Sequence, residues 1–191
     1  MGVLALIIIF QPEIRHFLIR LGSNYSHIRR SQLFNKLLGV KNGGLSGDSV
    51  NEIVDACRYM SGNKTGALIV IANYSNLDSI IETGDVIDAR IESRMIQNLF
   101  FKNSPLHDGA LIVRDNRLVA ARCTLPNTDK INLPPQYGMR HKAAIGITEE
   151  SDASVIVVSE ETGNIAFVRG GEMKTLGEAS ELKELFKNLQ T

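Results

Sequence analysis

The first polar interruption comes late. MGVLALIIIF carries an unbroken apolar run over residues 3–10, after which QPEIRHFLIRLG turns amphipathic, with Ile14, Phe17, Leu18 and Leu21 at helical spacing. Leu33, Leu37 and Leu38 continue that spacing after a break at Gly22-Ser23-Asn24, and VKNGGLSGD at 40–48 reads as a linker. Beyond it, Val50, Ile53, Val54, Cys57 and Met60 mark one face of a helix that Asp48 or Ser49 can cap and that ends near Gly62. TGALIVIA at 65–72 is short and wholly apolar, the mark of a strand covered on both faces. LDSIIETGDVIDARI holds two short segments around a Thr83-Gly84-Asp85 turn. SRMIQNLFF predicts a helix with Met95, Ile96, Leu99 and Phe100 facing the core.

Residues 109–113 and 118–125 predict two strands joined through Arg114-Asp115-Asn116-Arg117, whose Asp-Asn centre suits a tight hairpin. SVIVVS and IAFVR flank EETGN as a second hairpin, and ELKELFKNLQ closes the chain as an amphipathic helix. Strands dominate the second half and helices frame both ends. The expected fold is therefore α/β or α+β, a mixed central sheet with helices packed on it. The division read from this pattern is an appended helical segment at 1–40, a linker at 41–48 and one cored domain over 49–191.

Charge narrows the partners. With 21 basic and 21 acidic residues the formal net charge is zero, so no overall attraction to nucleic acid or to an anionic membrane is implied, and any phosphate site must be local. Cys57 and Cys123 lie in apolar surroundings and read as buried thiols of a reducing compartment. Eight apolar residues cannot span a bilayer, which needs about 20 as a helix. The apolar start reads as the end of a transmembrane helix or as a buried helix, and its abruptness favours the first. The following Arg15, Arg20, Arg29, Arg30 and Lys36 would lie on the cytoplasmic side.

Three polar clusters interrupt the apolar runs of the core. In PLHDGALIV, His107-Asp108-Gly109 stands at the mouth of a strand, where Asp-Gly is also ordinary turn chemistry. In GMRHKAAIGI, Arg140, His141 and Lys142 stand where Ala143 and Ala144 can open a helix. Cations at a helix N-terminus oppose its dipole, and a bound anion would resolve the conflict. In VSEETG, Ser159, Glu160 and Glu161 follow a strongly apolar strand. Asp108, Glu160 and Glu161 are hard oxygen ligands, and His107 is a further metal-ligand candidate for Mg²⁺ or Mn²⁺. Asp108 can also take a proton from an attacking hydroxyl, and Arg140 and Lys142 can neutralise charge on a transferring phosphoryl group. Gly109 allows close approach of a sugar. Together these describe nucleotidyl transfer better than hydrolysis. A His-Asp dipeptide also marks metal-dependent phosphohydrolases, but those place it on a helix, and here it leads into a strand.

The ordered set of these motifs resembles bacterial diadenylate cyclases, which condense two ATP into cyclic di-AMP. Asp108-Gly109-Ala110 is similar to the family's Asp-Gly-Ala, and Arg140-His141-Lys142 to its Arg-His-Arg. ETG at 82–84, PLHDGA, the Leu125-Pro126 pair, AAIGI and VSEETG match in the same order, and LALIIIFQPEIR resembles the end of the membrane segment in the membrane-anchored class. The resemblance implies that Asp108 holds a divalent metal, Mn²⁺ or Mg²⁺, and activates a ribose 3′-hydroxyl, with His107 and Glu160 or Glu161 as further ligands. Gly109 and Ala110 would face the nucleotide, Leu125 would offer backbone groups to adenine, Arg140, His141 and Lys142 would meet phosphates, and Ser159 the distal phosphates. It also implies a homodimer with facing active sites, a regulatory protein partner, and a membrane protein whose catalytic domain faces the cytoplasm. Lys142 keeps the charge of the motif's third member but loses its planar fork. Met139 and Thr124 stand where members often carry Thr and Tyr, and Thr124 cannot stack on adenine. A degenerate domain that binds ATP or cyclic di-AMP without turnover is the competing reading.

Overall fold

The structure, a computed structural model, describes residues 44–73, 75, 77–128, 130, 133–134 and 137–189. The expectations for residues 1–40 lie outside the described residues. The elements run α1 (Gly47–Gly62), β1 (Ala67–Ile71), α2 (Asp78–Ile81), β2 (Asp85–Arg90), α3 (Ser93–Leu99), β3 (Ala110–Arg114), β4 (Arg117–Cys123), α4 (Met139–Glu150), β5 (Ser154–Val158), β6 (Ile165–Arg169), β7 (Glu172–Leu176) and α5 (Glu181–Leu189). Seven strands form one sheet in the order β2-β4-β3-β1-β5-β6-β7. β1 pairs with β3 in parallel, and every other ladder is antiparallel. This is the mixed sheet expected from the pattern.

The continuous apolar runs of β1 and β5 are explained by cover on both faces. Ile69, Leu111 and Ile156 meet Ile53, Met60, Ile96 and Leu182 on one side of the sheet. On the other side, Leu68, Val70, Ile112 and Val157 meet Ile145 and Ile147 of α4. Alternate residues of one strand thus enter opposite cores, each fully buried side chain contributing on the order of 1.5–3 kcal/mol. Such a floor holds the strand ends rigidly.

Several local expectations need correction. α1 is capped by Ser46, whose Oγ accepts the Ser49 N–H at 3.2 Å, so Asp48 and Ser49 already lie inside the helix. Met95 is 39 % exposed, because α3 is short and turns only Ile96 and Leu99 inward. β7 was not anticipated: of Glu172–Leu176 only Leu176 is buried, so this edge strand lacks an apolar signature. The hairpin at Asp115-Asn116 is as expected, with φ of 51° and 60° at its two central residues.

Candidate active site

Register alone gathers the polar clusters. Ala110 pairs with Cys123, Ala67 with Val158, and Val158 with Ile165. Gly109, Thr124, Gly66 and Ser159 therefore leave β3, β4, β1 and β5 at the same end of four adjacent strands. Helix α4 begins at that end, with Arg140 reaching over Gly66 to Glu160.

His107 and Asp108 form the approach to β3. The His107 Nδ1 lies 2.6 Å from the Ser104 carbonyl, which can only accept, so Nδ1 donates to it and Nε2 is left on the far side of the ring. That is how a metal-binding imidazole is commonly oriented. The Asp108 carboxylate is exposed. Gly109 has φ +137°, and a Cβ there would stand 2.7 Å from the Arg122 carbonyl carbon. The chain itself thus demands glycine at 109. Arg122 sits in the irregular part of the β3–β4 ladder with φ +57° and pairs with Asp85 at 2.8 Å. The hydrogen bond that Arg122 donates to Asp85, then the charge of Asp85, and to a lesser degree the charge of Asp108, hold the Arg122 proton more firmly. Ala110 is fully buried at the start of β3 and Leu125 is 9 % exposed beyond β4, so both present backbone rather than side chain.

The start of α4 is the cationic side. Gly138 caps the helix without a side-chain acceptor, leaving first-turn N–H groups directed out of the helix. Arg140 donates to Glu160 at 2.7 Å, which offsets the unfavourable cation at this helix end. His141 stacks on Tyr137 with ring centroids 5.2 Å apart, and its Nδ1 is buried without a partner. Burial holds the His141 pKa below its ordinary value; the charge of Glu161 opposes this and that of Arg140 adds to it. Lys142 is exposed.

Ser159 organises the third cluster. Its Oγ accepts the N–H groups of Glu161 and Thr162, each at 3.3 Å, while its own N–H donates to Asn164 at 2.9 Å. The turn carries Glu160 and Glu161 exposed to solvent. Among the described residues, no three His, Cys, Asp or Glu side chains gather into a ready-made metal cage. The oriented His107 ring and the open Asp108 carboxylate instead fit a cation that completes its shell with substrate phosphates, as Mg²⁺ and Mn²⁺ commonly do.

Sequence reasoning gave no site role to Gly66, Asp85 or Arg122, and it noted Thr83 only as part of a turn and of the ETG match. A glycine before a strand and an Asp after a turn carry no signal until the sheet brings them to the same edge. Asp152 accepts the Ser75 N–H at 2.9 Å. Cys57 and Cys123 are buried as expected, and burial pushes their thiols up to about 12 and about 11.

Comparison with known proteins identifies the family. The family described as DisA bacterial checkpoint controller nucleotide-binding (DAC) matches residues 54–173. The chain is 40% identical over 191 residues to the diadenylate cyclase of Listeria monocytogenes, covering 100% of this chain and 67% of that protein. It is 36% identical over 186 residues to the cyclic di-AMP synthase CdaA of Bacillus subtilis, covering 97% of this chain and 65% of that protein. The chain thus spans about two thirds of the length of these relatives. A double mutant of DacA from Staphylococcus aureus superposes with a TM-score of 0.72 at 35% identity, over 74% of this chain and 94% of that one. A hypothetical membrane spanning protein from Bacillus cereus gives 0.67 at 33% identity, over 90% and 79%. With the family match, the full-length relatives and the shared fold in agreement, the chain belongs to the diadenylate cyclase family of nucleotidyltransferases.

Proposed function

We propose that this protein condenses two ATP into cyclic di-AMP and two pyrophosphates in a dimer whose active sites face one another. The observation that carries this reading is the convergence of Asp108 with the cation-rich start of α4 at one end of four adjacent strands. A hydroxyl-activating carboxylate thus shares an edge with a phosphate-binding surface.

In this reading the Leu125 backbone holds adenine, and Gly109 and Ala110 line the ribose side. Arg140, His141, Lys142 and the first-turn N–H groups of α4 hold phosphates, with Ser159 donating its free hydroxyl proton to the distal ones. Asp108 accepts the proton of the 3′-hydroxyl. The freed oxygen bonds to the α-phosphorus of the ATP on the facing protomer, and the bond to pyrophosphate breaks. His107 and Asp108, with Glu160 or Glu161, would hold Mn²⁺ or Mg²⁺, which supplies positive charge at the reacting phosphate. Asp108, Lys142, Glu160 and Glu161 are all exposed, as a site completed by a second copy requires. An isolated monomer then binds ATP without closing the ring.

Among the described residues no helix is long and apolar enough to cross a membrane. Anchoring through the apolar N-terminal segment, with the catalytic domain facing the cytoplasm and open to a regulatory protein partner, is part of the proposal. The test is to incubate the protein with ATP and Mn²⁺ or Mg²⁺ and resolve the nucleotides. Cyclic di-AMP with pyrophosphate is the expected result. ADP or AMP alone would indicate hydrolysis, and bound but unchanged ATP would indicate a sensor; either overturns the proposal.

A further inference from the structure

The Glu82-Thr83-Gly84 stretch has no part in the reaction described above, yet it grips the nucleotide edge at successive points. Thr83 Oγ1 accepts the Thr124 N–H at 2.9 Å and lies 2.6 Å from the Ile80 carbonyl, to which its own proton is donated. Gly84 lies so close to β4 that a Cβ would meet the Ala121 carbonyl oxygen and stand 2.5 Å from Cys123 Sγ. Asp85 pairs with Arg122 at 2.8 Å. Three consecutive residues thus engage the end of β4, where the strand leaves regular register.

We infer that Thr83 is a positioning residue for nucleobase recognition: by holding the Thr124 N–H it sets the direction in which the Leu125 backbone is offered to the base. The inference rests on the proposed function, which places adenine at Leu125. The Leu125 side chain is buried and anchored, so the orientation of its backbone depends on the peptide that precedes it. Thr124 carries no ring to stack on adenine, which leaves recognition to hydrogen bonds, and these weaken steeply with misalignment. With its proton committed to Ile80, the Thr83 oxygen turns its lone pairs to Thr124 and cannot switch roles. Both Thr83 and Thr124 are exposed, so water can replace the lost bond and the fold survives; what is lost is direction.

The experiment compares Thr83→Val, which keeps the shape and removes the hydroxyl, with Thr83→Ser, which keeps the hydroxyl. ATP and GTP binding are measured by calorimetry, and KM and kcat by product formation. Thr83→Val should weaken ATP binding by roughly three- to tenfold, the scale of one hydrogen bond. The loss should fall on KM rather than kcat, and the preference for ATP over GTP should narrow. Thr83→Ser should bind as the unaltered protein does. Unchanged ATP affinity in Thr83→Val, equal weakening of ATP and GTP, or an equal loss in Thr83→Ser would each overturn the inference. If the unaltered protein binds ATP but forms no cyclic product, the proposed function fails while binding still decides the role of Thr83. If it does not bind ATP, both fail.

Discussion

Arg140 and Glu160 meet at 2.7 Å directly over Gly66, and the missing Cβ of that glycine makes room for the pair. A Cβ at 66 would stand 2.9 Å from both Arg140 Nη1 and Glu160 Oε2. Both contacts are ends of flexible side chains, so Gly66→Ala should cost about 1 kcal/mol of stability or less. Displacing two groups at the proposed phosphate site should nevertheless lower cyclic di-AMP formation by on the order of tenfold or more. Unfolding curves and product assays on the same preparation check this. An unimpaired rate would remove the Arg140–Glu160 pair from the site.

Asp108 is exposed, so Asp108→Asn should leave stability within about 0.5 kcal/mol. On the proposed function, which makes Asp108 the proton acceptor and a metal ligand, product formation should fall by about a hundredfold or more. ATP binding by calorimetry should persist. Turnover close to the unaltered rate would show that another group activates the hydroxyl.

Gly109→Ala tests the opposite balance. The φ of +137° and the Arg122 backbone at 2.7 Å leave a methyl group no room, and neither obstacle is a movable side-chain end. A stability loss of about 2 kcal/mol or more is expected in urea unfolding. Wild-type stability in the variant would mean that the 109–122 contact is loose.

The depressed pKa of His141 makes a pH prediction. Because the folded protein binds this proton less readily than the unfolded chain, stability is full above the ordinary value of about 6.5 and declines as pH falls below it. Urea unfolding of the unaltered protein and of His141→Gln should differ in their slopes between pH 7.5 and 5.5, the variant losing less. Identical slopes would show that the ring takes up its proton as readily in the folded protein as in the unfolded chain.

Lys142→Arg restores a planar fork where the family motif carries Arg. Because Lys142 is exposed, the larger head group has room, and product formation should be equal or higher. A collapse of activity would reveal a pocket fitted to the smaller ammonium group.

Legibility from sequence followed the range of the interaction. The helical spacing of Val50, Ile53, Val54, Cys57 and Met60 and the continuous runs of β1 and β5 reported their own burial, because periodicity is a local record of which face is covered. The polar clusters at 107–109, 140–142 and 159–161 stood out because ionisable groups beside buried strands are unusual. β7 escaped, since an edge strand with a single buried residue has no period to read. Met95 was misplaced because a helix as short as α3 leaves its flank open.

By itself, then, the sequence determined the mixed sheet, the buried central strands and the three polar clusters on which the proposed chemistry rests. Only the tertiary structure decided that they share one end of the sheet, that Arg140 leans on Glu160 over Gly66, and that the Arg122 backbone leaves no room for a side chain at Gly109. It alone tied Thr83 to Thr124, 41 positions apart. Local pattern records burial; strand register brings distant residues together, and no single stretch of chain encodes that pairing.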